Sequence, residues 1–208
     1  ELSGNELDLI NFNMNIDFIL EEPICDEGFM EIGDDCYWVD DIGVLQQFID
    51  NSAETINMSM DENGNGMIEP LELGYIQQWN DGRLVELDCG YPLFCDLSGE
   101  IPEDIGNMEF LESVRIYVNY LSGPIPESIG SLANLSVLDL NNNLLSGPVP
   151  ESICDIQPNL DVLLLDFNHL CPPYPDCVEE DLGFQDTLQC VSIWYVSPSG
   201  ADRSEEHT

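Results

Sequence analysis

The stretch Leu121-Ser-Gly-Pro-Ile-Pro-Glu127 occurs three times with small changes. It stands as Leu97-Ser-Gly-Glu-Ile-Pro-Glu103 before and Leu145-Ser-Gly-Pro-Val-Pro-Glu151 after, a step of 24 residues each time. A fixed period of this length marks a chain built from stacked, similar units. A second motif runs in register with the first. It reads Leu111-xx-Val114-x-Ile116-xx-Asn119-x-Leu121, then Leu135-xx-Leu138-x-Leu140-xx-Asn143-x-Leu145, then Leu160-xx-Leu163-x-Leu165-xx-Asn168-x-Leu170. The alternation of apolar positions predicts a short strand with one buried face. Stacking such units lines the strands into a parallel sheet. Asn119, Asn143 and Asn168 fall where the chain leaves the strand. An amide side chain there can pair turn backbone that an apolar residue would leave unpaired, so a structural role is expected. In the Gly-x-Ile-Pro segment, glycine permits the turn and proline holds the chain extended along the next face.

The two linked motifs resemble the leucine-rich repeat, and the LSGxIP half resembles its plant-type subfamily, over residues 84–170. The resemblance implies an α/β fold: a short leucine-rich-repeat solenoid with a parallel concave sheet and disulfide-stapled ends. Its first repeat is irregular. Leu84-xx-Leu87-x-Cys89 opens as expected, but three extra residues lie between Cys89 and Cys95, and a local disulfide is the simplest staple for that bulge. At the other end, Cys171-Pro-Pro-Tyr-Pro-Asp-Cys177 resembles the cysteine-bearing C-terminal cap of plant-type repeats, which implies a Cys171–Cys177 bridge. Terminal repeats need caps because their outer faces have no neighbour.

Aligning the repeats predicts the exposed side of the sheet. Asp88, Arg115, Asp139 and Leu164 share one column, which sets Arg115 between two aspartates and predicts cross-strand charge pairing. Tyr117, Val118, Val137, Val162, Leu164 and Phe167 fall in this and neighbouring columns as apolar residues on a solvent-facing sheet. Such a patch signals a protein contact, unless a flanking loop or the C-terminal segment covers it.

Residues 25–83 are not repetitive. Cys25 and Cys36 bracket a short loop and predict another disulfide. Between Val44 and Met60, the residues Leu45, Phe48, Ile49 and Ile56 form a helical stripe. Next comes Asp61-Glu-Asn-Gly-Asn-Gly-Met-Ile-Glu-Pro-Leu-Glu72. It meets the pattern D-x-[DN]-x-[DN]-G-x5-E, in which hard oxygen ligands wrap a spherical cation and Gly66 makes the sharp turn. The ligands for Ca2+ would be Asp61, Asn63, Asn65, the Met67 carbonyl, Glu69 and Glu72. This loop resembles that of the EF-hand. Pro70 stands where an exiting helix would begin, with Leu73, Ile76 and Trp79 on its apolar side. The neutral Asn63 and Asn65 lower the ligand charge, and the loop is solitary. A structural calcium clasp within a helical, EF-hand-like N-terminal cap is therefore expected, in place of a sensor. The alternative is an Asx-rich turn without metal.

Residues 1–24 carry strict alternation, with Ile10, Phe12, Met14, Ile16 and Phe18 interleaved with polar residues, which predicts a long strand. It could pair within the chain, or with a neighbouring copy to build a fibre. Val191, Ile193 and Tyr195 predict a short strand near the other end. The expected organisation is thus a strand segment at 1–24, a helical cap at 25–83, repeats at 84–170 and a C-terminal cap and strand at 171–202. The last part, 203–208, resembles the translation of a sequencing adapter and is expected to be non-native. Glu1 in place of Met suggests a processed form or a fragment.

The charge balance narrows the partners. Forty-two acids face three arginines and no lysine, a formal net charge of −39. Such a chain has no attraction for phosphate backbones or anionic lipid, and it favours cations. No run approaches the roughly 18 apolar residues that span a bilayer. The cysteines Cys25, Cys36, Cys89, Cys95, Cys154, Cys171, Cys177 and Cys190 are even in number and lack CxxC spacing, which predicts disulfides and an extracellular, secreted setting over zinc. Asn57-Met-Ser and Asn134-Leu-Ser are glycan acceptor sequons. No lysine is present for a Schiff base or phosphate loop, and no histidine stands near a nucleophile, so no enzyme is predicted. The first expectation is an extracellular, calcium-stabilised interaction or structural module that binds a protein or copies of itself. The second follows from the resemblance, since plant-type repeats include secreted glycosidase inhibitors and receptor ectodomains that bind on the concave face. An ice-binding surface lacks its regular Thr or Asn array here.

Overall fold

The computed structural model describes residues 25–192 apart from 93, 180 and 181. The strand expected at 1–24 and the tail 203–208 lie outside the described residues. A hairpin of β1 (Phe29–Ile32) and β2 (Asp35–Trp38) opens the described chain and is stapled by Cys25–Cys36. The helix α1 (Val39–Asn51) follows, shorter than the stripe predicted and ending at Ser52. It buries Val44, Leu45, Phe48 and Ile49 on one side. Each such side chain removed from water contributes about 1.5–3 kcal/mol.

Two parallel sheets carry the repeats. The first has the order β10-β8-β6-β4-β3, from β3 (Ile76–Asn80), β4 (Arg83–Asp88), β6 (Ser113–Arg115), β8 (Val137–Asp139) and β10 (Val162–Leu164). The second has the order β11-β9-β7-β5, from β5 (Ser98–Glu100), β7 (Tyr120–Gly123), β9 (Leu144–Pro148) and β11 (His169–Cys171). Each repeat gives one strand to each sheet. It then returns through a single 3-10 turn, Glu103–Asn107 or Glu127–Ser131, or through the short helix α2 (Ile153–Ile156). These returns stack because Gly106 and Gly130 carry no Cβ. One added there would sit 2.4 Å from the Ser128 carbonyl and 2.5 Å from that of Ser152. Between the layers lie leucines and isoleucines at the period of the sequence, Leu97, Leu121, Leu145 and Leu170 among them, all at 0% exposure.

Both ladders are closed at their first strands by the segment ahead of the repeats. In the first sheet, β3 runs antiparallel beside β4. This overturns the exiting helix predicted from Pro70. Only Pro70–Glu72 form a 3-10 turn, and Ile76 and Trp79 lie on a strand. The first repeat strand otherwise has a bare edge. Pairing that edge with backbone outweighs a weak local helical pattern. In the second sheet, the end of α1 seals β5. The Ser52 hydroxyl accepts from the Ser98 N–H and donates to the Ser98 carbonyl, and the Asn51 amide donates to the Glu100 carbonyl.

The bridges Cys25–Cys36 and Cys89–Cys95 match expectation. Cys171–Cys177 does not form: the pairs are Cys154–Cys177 and Cys171–Cys190. The chain after Cys171 folds back under α2, so Cys177 meets Cys154 in the last return while Cys171 closes β11 onto the 3-10 helix Thr187–Ser192. That helix also occupies the start of the strand predicted at Val191, and 193–195 lie outside the described residues.

Candidate functional site

The exposed side of the first sheet follows the predicted columns. Asp88 pairs in register with Arg115, Arg115 with Asp139, and Asp139 with Leu164. The predicted charge pairing differs in its partner. Arg115 donates to Glu86 at 2.6 Å and to Ser113, not to either flanking aspartate. Asp88 already accepts from the Gly90 N–H, and Asp139 from the Asn141 backbone and amide. Glu86 lies two residues before Asp88, on the same side of β4, and accepts from the guanidinium on one oxygen and from the Gln78 amide on the other. Burial pushes the Asp139 carboxyl up, against the lowering by Asn141 and Arg115; Asp88 adds to the rise.

The apolar residues separate into two groups. Val162, Leu164 and Phe167 are exposed at the β10 end of the sheet, Phe167 at 56%. Phe184 joins them, its ring 5.8 Å from that of Phe167, and the Phe167 N–H donates to the Phe184 carbonyl. Sequence periodicity gave no signal for Phe184, which lies past the repeats. Tyr117 and Val137 are only half-buried. Tyr117 is committed elsewhere: its hydroxyl accepts from the Tyr91 N–H, and its ring lies against Gly90, where a Cβ would meet it at 2.1 Å. Val118 is exposed on the turn after β6. Val118, Asn142 and Phe167 share that turn position in left-handed conformation, with φ of 55°, 54° and 54°. Asn tolerates it, whereas a β-branched residue there is strained.

Beneath the turns, the asparagine ladder forms as predicted. Asn143 accepts from Leu121 N–H and donates to the Ile116 and Leu140 carbonyls. Asn119 and Asn168 repeat the scheme one layer to each side. Gln185 extends it past the last repeat, accepting from Leu170 N–H and donating to Leu165 carbonyl. Its longer side chain reaches the same groups from a segment outside the period.

The loop Asp61–Glu72 is wound around its own acidic side chains. Asp61 accepts from the N–H groups of Gly64, Asn65 and Gly66, and Glu72 from those of Glu62, Asn63 and Glu69. Asn63 and Asn65 point their amide nitrogens at Glu69 and accept N–H groups on their oxygens. Among the described residues, no three His, Cys, Asp or Glu side chains form a group able to hold a metal. The donors are nonetheless the hard oxygens that calcium takes. Asp61 Oδ2 and Glu72 Oε2 each accept a single N–H and keep lone-pair capacity, whereas Asp61 Oδ1 and Glu72 Oε1 each accept two. The donor set fits Ca2+ in kind.

Of the two sequons, Asn57 is tied down. Its amide donates to the Phe94 carbonyl at 2.7 Å, and its oxygen caps the 3-10 turn Met58–Met60 through Ser59. Asn134 is exposed, and its amide bonds to the Glu109 carbonyl of the preceding layer. Sequence reasoning missed one ion pair. Arg83 contacts Asp41 at 3.0 Å, with Asp41 fully buried and also accepting from the Leu84 N–H. The Arg83 guanidinium lies 4.8 Å from the Trp38 ring centre and 4.3 Å from that of Phe110.

Comparison with known proteins agrees with this architecture. The family model for the leucine-rich repeat matches residues 134–156. Among solved structures, the chain is similar to the BIR2 ectodomain from Arabidopsis thaliana, with 25% identity and a TM-score of 0.51 over 70% of this chain and 76% of that one. It is also similar to a chain in the crystal structure of PEPR1–AtPEP1, with 21% identity and a TM-score of 0.54. That match covers 67% of this chain and 20% of the other, so the present chain spans only a fifth of that relative. No curated protein sequence matches it. No helix among the described residues is long and apolar enough to cross a membrane.

Proposed function

We propose that this chain is a non-enzymatic, extracellular, protein-binding module of the leucine-rich-repeat kind, with its contact surface at the β10 end of the first, concave sheet. The observation that carries the reading is the exposed group Val162, Leu164, Phe167 and Phe184. Two apolar side chains on β10, one on the turn after it and one on the segment hydrogen-bonded to that turn are more than scattered surface leucines, and such patches mark contacts. The four disulfides support an oxidising, extracellular setting. The test uses L164D/F167D. Both positions are exposed, and Asp suits the left-handed turn at 167, so the fold survives. Proteins from the native extracellular medium retained by the immobilised wild type should be lost from the variant, and an identical retained set rules out this surface.

Calcium belongs to the same proposal as a stabiliser of the N-terminal cap. Asp61, Asn63, Asn65, the Met67 carbonyl, Glu69 and Glu72 would hold it, and the support is the spacing and the oxygen donors. Bound cation would offset the repulsion within so acidic a chain. Melting with calcium and with chelator tests this: the midpoint should fall in chelator, and equal midpoints exclude the clasp. Attached glycan is proposed at Asn134, because it is exposed, whereas Asn57 is half-buried and commits both its amide and its oxygen. The fibre reading depends on residues 1–24 and 193–195, outside the described structure, and no observation here favours it.

A further inference from the structure

The Asp61–Glu72 loop contains Asn63-Gly64 and Asn65-Gly66 in succession. In an asparagine–glycine pair the glycine nitrogen has no neighbouring side chain to shield it. It can attack the asparagine Cγ, forming a new N–Cγ bond while the Cγ–Nδ2 bond breaks and ammonia leaves with the proton from the glycine nitrogen. Water then opens the five-membered imide at either carbonyl, giving aspartate or isoaspartate. No oxidant, reductant or enzyme is needed.

Both attacking nitrogens are held by one side chain. The Gly64 N–H donates to Asp61 Oδ1 at 2.7 Å and the Gly66 N–H to Asp61 Oδ2 at 2.8 Å. Both electrophilic amides are held as well. Asn63 Oδ1 accepts from the Asn65 N–H and Asn65 Oδ1 from the Met67 N–H, while their Nδ2 groups donate to the two oxygens of Glu69. Gly64 and Gly66 have positive φ, 71° and 85°, with nothing within 4 Å of an added Cβ, so the two pairs lie open to water.

We infer that Asn63 and Asn65 are deamidation sites and that the Asp61 carboxylate guards them by keeping both glycine nitrogens engaged as donors. When the guard lets go, the stretch Asp61-Glu-Asn-Gly-Asn-Gly gains two carboxylates. The loop Asp61–Glu72 then goes with age from four side-chain carboxylates to six. This inference concerns covalent chemistry and holds whether or not the loop binds calcium.

Peptide mapping by mass spectrometry of the full chain, aged at neutral pH in chelator, tests it. Three samples are compared: folded wild type, folded D61N, and wild type unfolded in urea with its disulfides reduced. The wild type should stay amidated at 63 and 65 far longer than the unfolded chain. D61N keeps a single accepting oxygen, so at least one of the two positions should convert roughly tenfold faster than wild type, the change expected from losing one charge-assisted hydrogen bond. Protease resistance of the repeats reports that D61N is folded. Equal rates in folded and unfolded wild type overturn the guard, whatever D61N does. Equal rates in wild type and folded D61N overturn the role of Asp61.

Discussion

Asn143 shows why one polar residue per layer is worth burying. Its side chain satisfies one N–H and two inward carbonyls across two repeats, at 4% exposure. Replacing it with leucine keeps the branched shape and orphans those groups, at about 1–3 kcal/mol each. N143L should therefore lose on the order of 3 kcal/mol or more in chemical denaturation. Val118 presents the reverse case. It is a β-branched residue at φ 55° in a column whose next member is Asn142. V118N should stabilise by about 1 kcal/mol, because Asn accepts that conformation and Val does not. Asp139 adds a pH dependence. Burial raises its pKa, so the folded state holds the proton to higher pH than the unfolded chain does. Below the ordinary Asp value both states are protonated and nothing changes. As pH rises through the window above it, the unfolded state ionises first and stability falls. D139N keeps an oxygen for Asn141 and removes that fall. Its melting point should exceed that of the wild type at pH 7 and match it at low pH.

At the scale of elements, the ends of the ladders decide whether stacked repeats persist. Arg83 and Asp41 fasten α1 to β4 through a pair in which Asp41 is at 0% exposure. D41A leaves a guanidinium and the Leu84 N–H without that carboxylate, a loss of about 3–5 kcal/mol in urea titration. The repeats themselves were legible because their period repeats the same physical problem in each layer. The asparagines, the glycines of the Gly-x-Ile-Pro turns and the register of Asp88, Arg115, Asp139 and Leu164 follow from it. The caps were not legible, because each is solved once. Nothing periodic marks Ser52, Gln185 or Phe184. The helix expected after Pro70 gave way to β3, since a bare edge strand beside Arg83–Asp88 outweighs three apolar residues at helical spacing. The Cys171–Cys177 pairing failed for the same reason. That bridge was implied by the resemblance to plant-type caps, and the chain reached back to Cys154.

The whole molecule is an acidic body in which the two described cations, Arg83 and Arg115, are both spent on internal pairs. An exposed apolar group lies at one end of the first sheet, where Leu164 and Phe167 replace the Asp139 and Asn142 of the preceding layer. That change from polar to apolar relative to the preceding layer is the core of the functional reading. The measurement that tests it most directly is paired affinity capture from native extracellular medium, on immobilised wild type and L164D/F167D, with both proteins shown to melt alike. The reading predicts at least one protein retained by the wild type and absent from the variant. The same proteins on both surfaces would contradict it.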